Sequence, residues 1–532
     1  LADGFDIARA PLTGVLRNLN VVHDLVHGTA AGNLDGCIGV LRSRTNGNFT
    51  LPTVARLLLL WVPGSRMALD HGQFHPHLPE LVTSVAVATV AGLVMCSPEA
   101  HRAREAAIAF LVSGTAKATD YDRIGFSRAL ISAWMLCSYA CAPNRHQVKR
   151  LLNDMISRLP VRQAPVRAPV PRVDERPVMI VPLEHFVSTH AMYRCYAPVI
   201  EACRRDFFLV ALVVSKRIDA EASALFDAVH LIDRECLGAD GSLDIGEVEA
   251  LANSYSPAIV FHPSIGMQDY NLLIANRRLA PVQAMTYGHP ATSGMGSIDY
   301  GLTEEQWIID PAHFTERMVP LPKGALRYVM HAEDVPDRLR RERGDVLRIA
   351  IPSMAQKWTW PFLEALARVR RLLGARVQFE FFSGLNGYNY PAAMNAVLRA
   401  LPNAVVHPAL TFPDYIRTLA LCDVHAATFP FGGTNSVFDS LGNGLPVVCL
   451  APTDISGAQD SDFLQRAGLP GWLVAPDVEG FVDNLVRLAT EPGLLDGLRA
   501  QLADRERIRS IFVQGGQPEA YAEALRRLAR GD

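Results

Sequence analysis

The feature that most constrains the fold is an alternation of short apolar runs with amphipathic stretches, which begins at residue 177. Apolar runs with the composition of buried strands occur at 177–183, 208–215, 258–264 and 282–288. A second series, after residue 348, occupies 349–352, 377–383, 404–407, 424–430 and 446–450. Strands that alternate with helices indicate a parallel sheet. The pattern therefore predicts an α/β protein with two Rossmann-like lobes.

The N-terminal part of the chain has a different pattern. From about residue 8 to 159, apolar residues recur at helical spacing and almost no strand-like alternation is present, which predicts an all-helical domain. The most apolar stretch, 82–96, is shorter than the roughly 20 residues of a membrane-spanning helix and predicts a buried helix. A linker at 160–177 contains Pro165, Pro169 and Pro171, which favour extended chain. The predicted domains are helical (1–159), linker (160–177), first lobe (178–340) and second lobe (341–532).

Composition excludes several classes of protein. Of the 532 residues 49% are hydrophobic and 20% are charged, which is typical of a globular protein. A formal net charge of -3 provides no general attraction for nucleic acid or an anionic membrane, so we expect neither as a partner. The 9 cysteines are odd in number and lie mostly in apolar runs, and no secretory leader is evident. We therefore expect a reduced, cytoplasmic protein without membrane insertion. Cys137 and Cys141 lack the second close pair of a zinc site, so no metal is predicted.

The segment 427–450, ATFPFGGTNSVFDSLGNGLPVVCL, is the most informative motif. A predicted strand ends in it, Gly433 allows close backbone approach, and Thr434 or Asn435 can cap a helix that runs to about residue 442. Free N–H groups and the positive end of a helix dipole form a site for a diphosphate. Asp439, one turn beyond Asn435 on the same face, can accept both hydroxyls of a ribose. The alternative is an ordinary strand–loop–helix connection with a solvated aspartate.

Four further candidate residues follow predicted strands. His289 lies in the loop 287–294, where it can donate to a phosphate or exchange a proton. Lys357 follows the strand 349–352 and can neutralise charge on a departing diphosphate. His190 and His407 are strand-end histidines. The alternatives are a structural loop histidine and a solvated lysine.

Five segments together resemble glycosyltransferase family 41. They are THAMYRCYAP (189–198), FHPSIGMQDY (261–270), GHPATS (288–293), PFGGTNSVFDSLGNGLPVV (430–448) and GLPGWLVAP (468–476). Within that family the chain is similar to the cytoplasmic bacterial N-glycosyltransferases that modify high-molecular-weight adhesins. The helical domain ahead of two lobes also resembles the layout of that family.

The resemblance implies a GT-B fold with the active site between the lobes, inversion at the anomeric carbon, no metal, and no cofactor beyond a UDP-sugar donor. The first lobe would face the acceptor and the second would bind the donor. Several residue roles are implied in the same way: Lys357 with Gly433, Thr434 and Asn435 for the diphosphate, Asp439 for the ribose, His407 for the uracil, His289 for the diphosphate and acceptor, and His190 for the acceptor.

The function implied is transfer of a hexose, with glucose expected first, to asparagine side chains of an adhesin-like protein. Three alternatives stay open: O-glycosylation of serine or threonine from UDP-N-acetylglucosamine, a UDP-sugar epimerase, and a non-catalytic scaffold. The chain departs from the adhesin-modifying enzymes at 457–460, where GAQD replaces a histidine–glutamate–histidine segment. No general base is evident from spacing.

Overall fold

The computed structural model of the protein describes residues 79–120, 127–162, 164, 166–171, 174–232, 236, 242–329, 345–387 and 389–531, and helices are numbered among these. The described residues form two compact units. The helical unit contains the described residues up to Leu159, with Met354–Glu364 and Ser383–Pro402. The sheet unit contains Pro160–Ser353, Ala365–Phe382 and Asn403–Asp532.

The N-terminal part of the helical unit is built from helices, as predicted for its described residues. They are α1 (Pro79–Val90), α2 (Pro98–Val112), α3 (Ser127–Leu136) and α4 (Val148–Ser157). The apolar stretch predicted as one buried helix is helical only to Val90, because Gly92 follows and the chain leaves the helix there. Ser97 then caps α2 by accepting from the backbone N–H of Ala100 at 3.1 Å. No helix among the described residues is long and apolar enough to span a membrane.

The first sheet has the strand order β3-β2-β1-β4-β5-β6-β7, and all its strand pairs are parallel. Its strands are β1 (Val178–Leu183), β2 (Phe208–Val213), β3 (Ala228–Leu231), β4 (Ile259–His262), β5 (Val282–Thr286), β6 (Tyr300–Glu304) and β7 (Arg317–Leu321). Its helices include α5 (Ala191–Cys203), α6 (Ala220–Ser223), α7 (Gly246–Ser254) and α8 (Asp269–Ala275). Parallel pairing on both sides explains why β1 is buried along its whole length.

The sequence predictions missed β3, β6 and β7. The strand at 282–288 is the last one predicted in the first lobe. The structure differs, because β6 and β7 follow it in the same sheet. β6 contains a glycine and a glutamate, and β7 contains Pro320, so neither has the continuous apolar composition of a central strand. β3 and β7 are the edge strands, where partial exposure and proline are tolerated.

The second sheet has the order β10-β9-β8-β11-β12-β13 and is also parallel. Its strands are β8 (Leu347–Ile351), β9 (Val377–Phe382), β10 (Val405–His407), β11 (Val424–Ala426), β12 (Val447–Leu450) and β13 (Val474–Ala475). The following helices are α9 (Trp360–Leu373), α10 (Asn389–Ala400), α11 (Phe412–Leu419), α12 (Asn435–Gly442), α13 (Ile455–Arg466), α14 (Val478–Thr490), α15 (Leu494–Gln501), α16 (Arg505–Arg509) and α17 (Glu519–Arg530). The short strand β13 was not predicted.

Strand order reverses between β1 and β4 in the first sheet and between β8 and β11 in the second. Ligands of open parallel sheets bind in the crevice at the carboxyl ends of such strands. The loops after β1, β4 and β11 belong to the sheet unit, whereas the loop after β8 enters the helical unit. Ligand-binding residues are therefore expected in the segments that lead into α5, α8 and α12.

The described residues of the predicted linker form no helix, and two of them hydrogen-bond to the first lobe. Arg162 N–H donates to Leu243 O at 2.9 Å, and Val170 N–H donates to Ser254 O at 2.8 Å. Pro165 lies outside the described residues, as do residues 1–78 of the predicted helical domain and the predicted lobe boundary at 340/341. The domain boundaries stay a prediction.

Candidate active site

Within the sheet unit, the segment after β1 meets the segment after β11. Arg194 on α5 donates from Nη2 to Asp439 Oδ1 on α12 at 2.8 Å, and the two side chains are only 4% and 8% exposed. The two segments also meet at a second point, where Cys195 Sγ lies 3.5 Å from the side-chain amide of Asn435. The motifs 189–198 and 430–448 thus form one site.

The helix predicted after the glycine pair is present, since α12 spans Asn435–Gly442 with Thr434 at its N-cap position. Two N–H groups of this turn are not free. Gly433 N–H lies 2.8 and 3.1 Å from the two carboxylate oxygens of Asp460, and Thr434 N–H donates to Asp460 Oδ1 at 2.8 Å. For Gly433 and Thr434 the expectation of free N–H groups is therefore wrong, because a carboxylate on α13 already accepts from both amides.

Thr434 itself does not cap α12 through its side chain, which corrects a second expectation. Its hydroxyl donates instead to Gln459 Oε1 at 2.6 Å, and its backbone has φ 47°. This φ is unusual for a residue with a β-branched side chain and requires support from its surroundings. Gln459 and Asp460 supply that support, so the turn is shaped from α13.

The glycine pair lets α13 approach the turn. A Cβ on Gly432 would lie 2.4 Å from Asp460 Oδ2 and 2.6 Å from Ser456 O. A Cβ on Gly433 would instead meet Ser436 Oγ at 2.4 Å, on a side chain that can rotate. Gly432 is therefore required by packing within the protein, whatever the site binds.

Asp439 carries a cationic partner that sequence reasoning missed. Arg194 Nε also donates to Val329 O at 3.2 Å, and its guanidinium carbon lies 5.4 and 5.5 Å from the ring centroids of Phe412 and Phe438. Arg194 is part of the 189–198 motif, so the residue was visible in the sequence. Its partner was not, because 245 residues separate the two.

The structure brings His289 to the same site. Its ring is 4% exposed and stacks on Phe431 with a centroid distance of 5.4 Å and an interplanar angle of 22°. The preceding residue, Gly288, packs on α5, since a Cβ there would lie 2.4 Å from Met192 Cε. The loop after β5 therefore touches both the segment before the glycine pair and α5.

His190 lies at the N-cap of α5, where its Nδ1 accepts from Met192 N–H at 3.2 Å. Its ring stacks on His185 at 4.9 Å. Burial, with a smaller effect of Arg217, lowers the pKa of His190 to about 4. Burial, with His190 and Arg217 nearby, lowers the pKa of His185 equally far. Both imidazoles are therefore neutral near pH 7 and can serve as hydrogen-bonding groups.

Glu184, which directly follows β1, was also missed by sequence reasoning. Its Oε1 accepts three consecutive backbone N–H groups, from Gly266, Met267 and Gln268, at 2.8, 2.7 and 2.9 Å. Burial raises its pKa to about 7, although these hydrogen bonds act in the opposite direction. Glu184 thus fixes the loop that leads into α8.

His407 ends β10 and contacts a buried carboxylate. Its Nε2 lies 2.9 Å from Glu380 Oε2, and its ring lies 5.2 Å from the ring of Phe382. Burial opposes ionisation of Glu380, but hydrogen bonds from His407 and Arg348 outweigh it and lower the pKa of Glu380. One imidazole nitrogen is therefore engaged within the protein.

Lys357 is the last residue of the 3₁₀ turn Ala355–Lys357 that follows β8. Its backbone N–H donates to Met354 O at 2.9 Å within the helical unit. The predicted role of Lys357 at the diphosphate, like the other residue roles, stays a prediction.

Among the described residues, one group of three potential metal ligands comes together. Ligand atoms of His101, Glu105 and Cys141 lie within 4.8 Å of one another in the helical unit. Glu105 Oε1 already accepts the backbone N–H of Cys141 at 2.8 Å and lies 3.7 Å from His101 Nδ1. The cluster therefore links α2 to the turn after α3.

Comparison with known proteins identifies the class. Over 99% of both chains, the fold matches an O-GlcNAc transferase mutant of Thermobaculum terrenum, with a TM-score of 0.60 at 20% identity. With two parallel sheets and adjoining helices, this protein has the GT-B fold of glycosyltransferases. Residues 73–159 match the family model "HMW1 domain 2".

Two relatives define the family more closely. UDP-glucose:protein N-β-glucosyltransferases of Actinobacillus pleuropneumoniae, from serotype 5b strain L20 and serotype 7 strain AP76, are 30% and 31% identical over 483 residues. Each match covers 89% of this chain and 77% of the relative. The chain belongs to the HMW1-type branch of glycosyltransferase family 41, as its five motifs predicted.

Proposed function

We propose that this protein transfers glucose from UDP-glucose to asparagine side chains of an acceptor protein. The observation that carries the proposal is the convergence of the 189–198, 288–293 and 430–448 motifs around Arg194, His289 and Asp439. This arrangement occurs in a chain that is 30% identical to UDP-glucose:protein N-β-glucosyltransferase over 89% of its length.

The donor side of the proposed site is the second lobe. Asp439 has the carboxylate oxygens to accept the ribose hydroxyls, and its contact with Arg194 keeps it in place. Gly433 and Thr434 are proposed to act through the shape of their turn, since Asp460 uses their amides. We retain Asn435 and Lys357 as groups for the diphosphate, and His407 for the uracil.

In the proposed reaction, the acceptor nitrogen forms a bond to the anomeric carbon while the bond from that carbon to the diphosphate oxygen breaks. The bonding electrons leave with UDP, and attack from the opposite face inverts the anomeric centre. The Lys357 cation and the N-terminus of α12 would stabilise the charge on the leaving diphosphate. The amide proton leaves the acceptor nitrogen and is taken up by the departing diphosphate, which gains negative charge as its bond to the sugar breaks. No metal has a part in this proposal.

On the acceptor side we propose His289 and His190. His289 adjoins Phe431 next to the glycine pair, so it is suited to hydrogen-bond the diphosphate or the incoming amide. His190 is neutral near pH 7 because burial lowers its pKa to about 4, and a neutral ring can hydrogen-bond an uncharged asparagine.

We further propose that the acceptor is an adhesin-like polypeptide and that the reaction takes place in the cytoplasm. Eight cysteines among the described residues are free, and seven of these are buried, which supports a reducing compartment.

The test is intact-mass analysis of peptides after incubation with the protein and EDTA. An adhesin-like peptide that contains both asparagine and serine is offered with UDP-glucose, UDP-galactose or UDP-N-acetylglucosamine, and fragmentation maps the modified residue. We expect a gain of one hexose on asparagine with UDP-glucose. A gain on serine alone would replace the proposal with O-glycosylation.

Two variants show whether transfer depends on the proposed donor site. Lys357→Ala should remove most turnover and leave the thermal transition unchanged. Lys216→Ala removes an exposed lysine in the 3₁₀ turn Ser215–Arg217 and should behave as the wild type. No transfer by the wild type with any donor, despite measurable UDP binding, would favour the epimerase or the scaffold.

A further inference from the structure

We propose that Arg194 is a positioning residue for the donor nucleotide: it holds the Asp439 carboxylate in a fixed orientation across the two lobes, so that the carboxylate can bind the ribose. The inference deepens the proposed function and rests on it. Arg194 would act through Asp439 and would not itself touch the reacting atoms.

The contact has the geometry of a fixed ion pair. Nη2 of Arg194 donates to Oδ1 of Asp439 at 2.8 Å, and both side chains are almost fully buried. A carboxylate offers about four lone-pair sites, so this hydrogen bond leaves acceptor capacity for a bound hydroxyl. One carboxylate can therefore hold the arginine and a ribose together.

Arg194 is held at several points, so it cannot readily turn to another partner. Its Nε donates to Val329 O at 3.2 Å, while its own backbone O accepts from Val329 N–H at 2.7 Å. The rings of Phe412 and Phe438 lie near its guanidinium on α11 and α12. A guanidinium near aromatic faces, with its N–H groups directed at fixed acceptors, is a rigid scaffold for one carboxylate.

The experiment measures UDP affinity by calorimetry at pH 7 for Arg194→Met, Arg194→Lys, Asp439→Asn and the double variant Arg194→Met/Asp439→Asn. Arg205→Met is the control, since Arg205 lies just beyond the same helix and its side chain is 80% exposed. No acceptor peptide is needed, so the affinity is measured independently of transfer.

We expect Arg194→Met to weaken UDP binding at least about tenfold at pH 7, a change that corresponds to 1.4 kcal/mol. Its KM for UDP-glucose should rise more than its kcat falls. Arg194→Lys should recover part of the affinity, because it restores the charge without the planar fork. The double variant should bind UDP no more weakly than Asp439→Asn alone.

Wild-type UDP affinity in Arg194→Met would overturn the inference and leave the proposed function intact. Losses from Arg194→Met and Asp439→Asn that simply add in the double variant would also overturn it, because uncoupled residues act independently. If the wild-type protein itself binds no UDP, the proposed function fails, and this inference fails with it. If Arg194→Met does not fold, Arg194→Lys, measured alone and together with Asp439→Asn, decides.

Discussion

In both lobes, a side-chain carboxyl group holds the backbone of a loop that leads into a helix. In the first lobe, Glu184 accepts the N–H groups of three consecutive residues that lead into α8. In the second lobe, Asp460 accepts the N–H groups of Gly433 and Thr434, which lead into α12. Each carboxylate lies where a helix N-terminus attracts negative charge. Both loops are thus held by a carboxyl group of the protein itself.

The two carboxylates differ in where they come from and in how they respond to protons. Glu184 sits at the end of β1 and holds a loop after the adjacent strand β4, whereas Asp460 belongs to α13 and reaches its turn past Gly432. Burial raises the pKa of Glu184 to about 7, so the first-lobe loop is tied by a group that titrates near neutrality. A glycine-rich turn before a helix can therefore be occupied by the protein's own carboxylate.

The largest effect should come from Asp460→Ala. It leaves the Gly433 and Thr434 amides without their acceptor, and each unsatisfied buried donor costs roughly 1–3 kcal/mol. We expect the free energy of unfolding, measured by urea denaturation, to fall by about 4 kcal/mol. Asp483→Ala, at an exposed position on α14, should change it by less than about 0.5 kcal/mol. Equal stability of the two variants would show that Asp460 does not hold the turn.

Glu184→Gln tests the proton sensitivity of the first-lobe loop. The folded pKa of Glu184 is raised from 4.5 to about 7, so its stabilising contribution is complete below about pH 4.5 and is lost as pH rises through 7. The loss is on the order of 3 kcal/mol, since one pKa unit corresponds to 1.36 kcal/mol.

The variant should therefore gain stability relative to the wild type as pH rises from about 4.5 to 8 in urea titrations. His185 and His190 act with the opposite sign, because their folded pKa values are lowered to about 4 and the stability they contribute is lost as pH falls from 6.5. Both histidines remain in the variant, so the difference between the two curves isolates Glu184. If the stabilities of the wild type and of Glu184→Gln changed with pH in the same way, the raised pKa of Glu184 would be contradicted.

The smallest expected effect is the difference in stability between alanine variants at the two glycines of the second-lobe turn, Gly432 and Gly433. Gly432→Ala places a methyl group against the Asp460 carboxylate and the Ser456 carbonyl, and such overpacking costs about 2 kcal/mol. Gly433→Ala meets Ser436 Oγ at 2.4 Å and Val437 Cγ2 at 3.3 Å, both on side chains that can shift, so its cost should stay below about 1 kcal/mol. The melting temperatures of the two variants give the comparison. A larger loss for Gly433→Ala would mean that α13 does not fix the turn.

The local sequence pattern was sufficient to predict several strands and one helix next to the site. Apolar runs placed the central strands of both sheets, because a strand buried on both faces must be apolar along its length. The helix after the glycine pair was predicted to end at Gly442, and α12 ends there. His289 was predicted to lie in a loop after a strand, and it follows β5, where its ring stacks on Phe431.

The missed features depend on partners distant in the chain. No spacing rule connects Arg194 with Asp439, since 245 residues separate them, or Glu184 with Gly266, since 82 do. The glycine-rich turn resembles an anion site in sequence, yet Asp460 takes its amides only because α13 packs beside α12. The edge strands β3 and β7 were also missed, because partial exposure removes the apolar pattern that marks a central strand.

By itself the sequence determined the periodicity of each element and the family to which the chain belongs, because both depend on residues that are near neighbours or on short motifs. The tertiary structure alone decided which charges meet, which amides are already bound, and which loops share a crevice. These depend on how the sheets and helices pack, and packing brings together groups that the chain keeps far apart.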